Sequence, residues 1–166
     1  MRGRSAFLVL LILVLTSAVY AQPAPAQQPA PAQPGTFEAR VEEFLKQSGQ
    51  EYRKVQANSW YLLVKGKEMG QIRIILGAGP SQIAMGAVIV PKQKLQLSTE
   101  ALQKLMKLSY ELNYVRVCID ADDDLIVIAQ LKDPWLNAGE FRTTISLVTA
   151  AAERTFALMR PYLNKP

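Results

Sequence analysis

Residues 22–35 set the limit on what this chain of 166 residues can fold into. The segment consists of five Pro, four Ala, four Gln and one Gly, so it carries no charge and no large apolar side chain for a core. Proline-rich chains favour the extended polyproline II conformation, which predicts a semi-rigid linker. The alternative is a proline-rich ligand for an SH3-like groove. In either case, the folded domain is confined to residues 36–166.

The residues before this linker have the pattern of an export signal. Two arginines precede an uncharged, mostly apolar run at residues 6–19, and small residues precede a predicted cleavage point between Ala21 and Gln22. As a helix the run would span about 21 Å, which is short of the hydrocarbon core of about 30 Å. We therefore expect a cleaved signal peptide at residues 1–21 and a periplasmic or secreted protein that meets the membrane only during export. An uncleaved anchor or a buried core helix is the alternative.

The composition excludes several classes of protein. The chain has no histidine and one cysteine, which rules out a histidine-based catalytic triad, the usual zinc sites and an intramolecular disulfide. The net charge of +5 falls to +3 without the two arginines of the signal segment, so it gives little support for nucleic-acid binding. We expect no cofactor, no metal site, no nucleic-acid partner and no enzymatic activity.

Three helices are predicted within the domain. Thr36 is a good N-cap for the first, which Gly49 would end. Ser98 begins the second, and the third starts near Gly139 and ends before Pro161. The second helix is predicted to bury a stripe of four apolar residues. They are Leu102, Leu105, Met106 and Leu112.

Six β-rich runs, separated by turn residues, complete the pattern. They are residues 51–56, 60–65, 71–76, 83–90, 114–120 and 125–131. The predicted element order is α-β-β-β-β-α-β-β-α. Because hairpins outnumber crossover connections, this order predicts an α+β fold with an antiparallel sheet.

Four stretches carry a resemblance to a known family. They are WYLLVKGKEMGQIRIIL, AMGAVIVPK, YVRVCIDADDDLIVIAQL and AAERTFALMRPYL. With the element order, they resemble the YbjN-like family over residues 37–163. The family is labelled as sensory-transduction regulators, and its fold resembles that of type III secretion chaperones. The resemblance implies a chaperone-like fold, whose better-known members bind unfolded polypeptide as dimers. Those chaperones are cytoplasmic and usually acidic, whereas this chain is predicted to be exported and is mildly basic.

Three motifs have plain structural explanations. The aspartates at 120–124 alternate like the start of an EF-hand loop, but the required glycine and glutamate are replaced by Leu125 and Leu131, so a hairpin turn is predicted. The GxG at 77–79 is followed by a strand instead of the helix that a nucleotide site needs. Acidic residues interleave with a set of basic ones, which indicates a mixed solvated surface. That set is Lys65, Lys67, Arg73, Lys92, Lys94, Lys104 and Lys107.

Cys118 lies in the middle of a predicted strand without a pairing cysteine. A reactive thiol would need a cationic neighbour, and Arg116 shares its side of the strand two residues away. We favour a small, buried apolar side chain that resists thiol reagents.

Several strands fail to alternate apolar with polar residues. Trp60, Leu62 and Val64 form one side of a strand whose other side holds Tyr61 and Leu63. A one-sided sheet should show a polar outer face, so we predict a half-apolar second face covered by a partner chain or a second copy. The candidate residues are Tyr61, Leu63, Ile75, Arg116, Cys118, Ile126 and Ile128. The alternative is that the third helix or the loops wrap this face within the monomer.

These observations favour an exported, non-enzymatic module that binds a protein or peptide. A self-associating structural domain, with a homodimer as the partner, is the first alternative. A small hydrolase with Asp, Ser and Lys chemistry is the second.

Overall fold

The computed structural model describes residues 36–132 and 136–164, so the signal segment and linker predicted at residues 1–35 lie outside the described residues. The described helices and strands follow the predicted order. They are α1 Phe37–Ser48, β1 Glu51–Gln56, β2 Ser59–Lys65, β3 Gln71–Ala78, β4 Gln82–Val90, α2 Thr99–Glu111, β5 Val115–Ile119, β6 Leu125–Lys132 and α3 Ala138–Met159. Short 3₁₀ turns at Lys92–Lys94 and Arg160–Tyr162 follow β4 and α3.

The helices begin and end where their capping residues predict. The side chains of Thr36, Ser98 and Asn137 each accept a hydrogen bond from the backbone N–H three residues later, at 3.2, 3.1 and 2.9 Å. Gly49 ends α1 with φ of 69°, in the left-handed region that glycine adopts without strain. Within the described residues, no helix has the length and apolar character needed to cross a membrane.

The strands form one antiparallel sheet in the order β1-β2-β3-β4-β6-β5. The longest helix, α3, contacts β3 to β6, while α1 packs on α3 and α2 packs on β5 and α3. The side of the sheet under these helices, the helix-side face, is fully apolar at its centre. Its largest buried side chains are Trp60, Leu62, Ile72, Ile74, Leu76, Ile83 and Met85. The opposite side is called the far face below. The predicted α+β architecture is confirmed.

Five of the six strands differ from their predicted bounds by one or two residues, and the reasons are clear for β3 and β5. β3 continues through Gly77 to Ala78, because the chain turns only after the pairing of Ala78 with Ile83. β5 begins at Val115 because Tyr114 has φ of 63°, which a strand does not accommodate.

The end of β4 corrects the predicted alternation. Val88 pairs with Ile126 and Val90 pairs with Leu125, so Ile89 is an extra residue in a β-bulge. Ile89 and Val90 are therefore both buried, whereas strict alternation along β4 would place Val90 on the far face with Val88. A bulge reverses the side on which later residues of a strand lie, and the sequence pattern does not reveal it.

The buried stripe of α2 is also corrected. Leu105 is buried as predicted, but Leu102 and Met106 are 43% and 73% exposed. Ala101 and Leu108 take their place against β5 and α3. The apolar residues of α2 form two adjoining stripes. The prediction combined residues from both, because Ala101 is small and less apolar than the leucines and methionine beside it.

Candidate functional site

All seven residues predicted for a partner-binding face lie on the far face. The register of the strands aligns them across neighbouring strands. The opposed pairs are Tyr61 with Ile75, Leu63 with Arg73, Arg116 with Ile128, and Cys118 with Ile126. The far face therefore brings together residues that lie up to 67 positions apart in the sequence.

The far face keeps apolar side chains in contact with solvent. Ile75 and Val88 are 50% and 40% exposed, and neither belongs to the hydrophobic core. The sequence left open whether α3 covers this face. That alternative is wrong, because α3 packs on the helix-side face and its buried residues join the core there.

A shallow apolar groove of about 200 Å³ runs across the centre of the far face. Its floor contains Gly77, Ala84 and Gly86, which lack the bulk to fill the space between neighbouring strands. Aliphatic side chains form its walls. They are Ile75, Val88, Ile126 and Ile128. A second recess of about 370 Å³ shares Ile75 and Val88 and extends towards Leu63, Met69 and Arg73. The apolar surface of the groove therefore continues to Leu63 and Met69, where the polar side chains of Gln71 and Arg73 border it.

Cations surround this apolar surface. Five exposed basic residues of the described part of the chain lie on the far face. Two acidic residues lie there as well, Glu51 at one edge and Asp120 at the end of the groove. The basic residues are Arg53, Lys65, Arg73, Arg116 and Lys132. Among the described residues, none of the five takes part in an ion pair. The far face is therefore apolar at its centre and positively charged at its edges.

Two of these arginines are held in place. The Arg73 guanidinium lies 5.1 Å from the centre of the Tyr61 ring, a cation–π contact. Arg116 donates a hydrogen bond of 3.0 Å to the amide oxygen of Gln130. Both contacts leave guanidinium N–H groups available to an acidic ligand.

The predicted basic set is divided by the fold. Lys65 and Arg73 lie on the far face, whereas Lys92 forms an ion pair with Asp123. Lys104 likewise pairs with Glu100 on α2. The interpretation of these residues as a mixed surface is confirmed for the paired lysines. Arg53 and Lys132, which the sequence did not group with the others, join the far face because register places them there.

The aspartate hairpin forms a turn held by its own backbone. The Asp120 carboxylate accepts hydrogen bonds from the N–H groups of Asp122 and Asp124, at 3.0 and 2.9 Å. Asp123 adopts φ of 63° at the tip. The predicted hairpin turn is confirmed. Within the described residues, no three His, Cys, Asp or Glu side chains are grouped as metal ligands.

Cys118 is half-buried on the edge strand β5. Burial raises the pKa of its thiol, and the positive charge of Arg116 only partly offsets this effect. A raised pKa keeps the thiol protonated and weakly nucleophilic. The raised pKa favours an inert thiol, which labelling can test, but the side chain is half-buried and is not the buried apolar residue that the sequence predicted.

A second apolar surface lies between α2 and β5. Leu102, Met106 and Tyr110 are spaced four residues apart on α2, and Tyr110 is 92% exposed. With Ile119 and Cys118 they line a groove of about 380 Å³ beside the open edge of β5. The sequence missed this surface because two of its residues were assigned to the core.

The comparisons with known proteins find likeness in structure alone. No protein-family model and no curated protein matches the chain. A chain in the crystal structure of the ExsC–ExsE complex matches with a TM-score of 0.57 and 14% identity, covering 75% of this chain and 96% of that chain. A chain of the heterodimeric ExoU–SpcU complex, from the type III secretion system of Pseudomonas aeruginosa, gives 0.54 and 13%, covering 73% and 98%.

YbjN from E. coli matches with a TM-score of 0.55 and 13% identity, covering 75% of this chain and 93% of that chain. This chain has the YbjN-like, type III chaperone-like fold. The fold implied by the sequence resemblance is therefore confirmed. At such low identity the likeness concerns the course of the backbone, so the properties of the far face rest on this chain's own residues.

Proposed function

We propose that this chain is an exported, non-enzymatic module that binds a protein or peptide through its far face. The observation that carries the proposal is the exposed apolar centre of a sheet whose other side already supplies the core. Exposed apolar patches of this kind mark interaction sites on soluble proteins, because leaving them in water has no structural benefit.

The likeness to solved complexes supports a protein partner. Two of the similar structures are complexes of two proteins, ExsC with ExsE and ExoU with SpcU. The residues of the far face support binding more than catalysis, because the groove is lined by aliphatic residues and glycines and the chain lacks histidine as a general base.

Export is proposed from the sequence of residues 1–21. Intact-mass measurement of the protein from an exporting bacterial host tests it. The mature chain should begin at Gln22. A mass that retains Met1 to Ala21 in the periplasmic or secreted protein would contradict cleavage.

The binding proposal is tested with Leu63→Glu combined with Ile128→Glu. Both side chains are half-buried on the far face and neither belongs to the buried core, so the double variant should fold and keep its helical circular-dichroism signal. Leu102→Glu with Met106→Glu is the matched control, because it adds the same charges to the exposed apolar stripe of α2. Partners captured by the wild type from periplasmic extract are identified, purified and titrated against all three proteins.

Loss of affinity in the far-face variant alone supports the proposal. Equal affinity in the far-face variant and the wild type contradicts it. Sedimentation of the same proteins distinguishes the self-associating domain, for which a far-face variant would change the oligomeric state and no other partner would be found. Unfolding of the far-face variant would show that its residues belong to the core.

A further inference from the structure

The residues of the far face form an ordered row across all six strands. Each member is the Cα partner of the next, from the edge strand β1 to the edge strand β5. The central row is Arg53, Tyr61, Ile75, Gly86, Ile128 and Arg116. A cation therefore stands at each end, and the apolar groove lies between them.

The spacing of the central row limits what can occupy it. Six strands have five intervals of about 4.8 Å, so the two terminal arginines are about 24 Å apart at their Cα atoms. An extended peptide advances about 3.4 Å per residue, so about seven residues cover this distance. A segment of that length could place an apolar centre over Gly86 and reach both arginines with its ends.

The geometry points to an acidic peptide segment as the occupant of the far face: an apolar centre seated in the groove, with carboxylates on both sides. This inference rests on the proposed function and specifies the chemistry of its partner. Arg53 and Arg116 bind the acidic side chains at the two ends of the segment. Arg73 lies beside the segment, in the neighbouring row of the sheet. Arginine suits this role because its planar guanidinium can bind a carboxylate through two parallel hydrogen bonds.

Charge complementarity favours the acidic segment over a basic one. Among residues 36–132 and 136–164, the five cations of the far face form no ion pair, and the acidic residues that oppose them are Glu51 and Asp120, whose carboxylate already accepts two backbone hydrogen bonds. A basic peptide would therefore meet a net positive surface.

The shape of the groove favours a peptide over a membrane or a nucleic acid. The apolar centre is recessed, because its floor is made of Gly77, Ala84 and Gly86. A membrane anchor would need apolar side chains that project beyond the cations. Binding of single-stranded nucleic acid relies on aromatic platforms for stacking, and within the part of the chain that the structure describes, the central row of the far face holds one aromatic residue, Tyr61.

The experiment uses two synthetic peptides that differ only in charge. Both have a Leu-Val-Leu centre, and both carry pairs of charged residues spaced about seven residues apart, glutamates in one and lysines in the other. Fluorescence polarisation with the full mature chain at low salt should show the glutamate peptide binding at least about tenfold more tightly. The advantage should shrink as salt is added.

Arg53→Glu combined with Arg116→Glu should weaken the glutamate peptide about tenfold or more. Lys107→Glu with Arg142→Glu is the matched control, because it reverses two exposed cations on α2 and α3. The control should change the affinity less than about threefold.

Gly77→Val tests the groove without disturbing the fold. Apart from Gly77 itself and its two chain neighbours, no described residue has a heavy atom within 4 Å of the position that a Cβ would take at Gly77, and Gly77 lines the groove. Valine suits a strand, so the variant should fold, and its added side chain should occupy the space in which the peptide binds. The glutamate peptide should bind it at least about fivefold more weakly.

Equal binding of the glutamate and lysine peptides would overturn the inference, as would unchanged affinity in the arginine variant or in Gly77→Val. Binding to vesicles that contain phosphatidylserine, with no binding of either peptide, would assign the far face to a membrane and also overturn it. The proposed function would survive these results if the Leu63→Glu, Ile128→Glu protein still lost its natural partner.

Discussion

The helix-side face and the far face are built from alternate residues of the same six strands, yet they differ in what surrounds them. Trp60, Leu62 and Ile74 are completely buried under the helices, whereas their sequence neighbour Ile75 is half-exposed. The helix-side face is apolar at its centre, and its one cation at the β1 edge, Lys54, is paired with Glu38 and Glu42. The far face combines an apolar centre with cations at its edges that form no ion pair among the described residues. Only the first arrangement is needed to fold the domain, so the second calls for a functional explanation.

β4 shows the same contrast within one strand. Its helix-side residues Ile83 and Met85 are large and buried, and the intervening Ala84 and Gly86 are small and open the groove. Large side chains on both sides of β4 would have shielded the sheet more completely from solvent. The small ones keep a recess available on the far face.

The largest expected effect is a difference in the free energy of unfolding between two single variants, in which neighbouring isoleucines on opposite faces are each replaced by alanine. Ile74→Ala should lower the free energy of unfolding by about 2–5 kcal/mol, because it leaves a cavity in the core. Ile75→Ala should cost about 1 kcal/mol or less, because its side chain is half in water. Urea unfolding of both variants and the wild type measures the difference. Comparable losses in the two variants would mean that the far face is also a core.

The half-apolar far face could be anticipated from the sequence, because successive strand residues point to opposite sides and apolar residues occupy both sides of several strands. The residues that turn the far face into a charged site could not, since Arg53 and Lys132 reach it through strand pairing. Their relation depends on which strands become neighbours, which a single sequence does not reveal.

The core of α2 was harder to predict for a different reason. Its apolar positions cover more than one helical stripe, and only packing on β5 and α3 selects Ala101 and Leu108 over Leu102 and Met106. Helix ends, by contrast, were accurate because Thr36, Ser98 and Gly49 act on the backbone next to them.

Glu153 ties the helix layer to the turn that borders the far face. Its carboxylate accepts hydrogen bonds from the N–H groups of Lys67, Glu68 and Met69, at 3.1, 2.6 and 3.1 Å. Glu153→Ala should lower the free energy of unfolding by about 1–3 kcal/mol, because three backbone donors lose a charged acceptor. Denaturant unfolding measures this loss.

The matched control for Glu153 is Glu43→Ala on the exposed surface of α1, which should cost less than about 0.5 kcal/mol. Since Met69 also borders the recess near Leu63, Glu153→Ala should weaken binding on the far face as well. Equal stability of the two variants would show that the turn holds its shape without the carboxylate.

A smaller effect on the helix side is the pH dependence of the free energy of unfolding that Glu38 contributes. Lys54 donates a hydrogen bond to the Glu38 carboxylate, which lowers the pKa of Glu38, and the N–H of Asn58 adds a second bond. A lowered pKa in the folded state stabilises the protein above the carboxyl's unfolded value of about 4.3. This contribution is lost as the pH falls through the folded value.

Glu38→Gln should therefore flatten the loss of stability below about pH 4.3, measured by urea unfolding at a series of pH values. Lys54→Met should flatten the same part of the profile, because it removes the bond that lowers the pKa. An unchanged acid slope in both variants would mean that the contact between α1 and β1 adds no pH-dependent stability.

The smallest effect is expected at Cys118, on the edge of the far face. Burial raises the pKa of its thiol, so the folded protein keeps the proton at pH values where the unfolded chain begins to lose it. The contribution to stability is complete below the unfolded pKa of about 8.5 and is lost as the pH rises through the folded pKa. Wild type should therefore lose slightly more stability than Cys118→Ser between pH 8 and pH 10.

The reactivity of the same thiol can be measured directly. At pH 8, a reagent that forms a mixed disulfide with cysteine should label Cys118 more slowly in the native protein than in urea. Labelling at equal rates would show an accessible, activated thiol, and the far face would then carry chemistry as well as a binding surface.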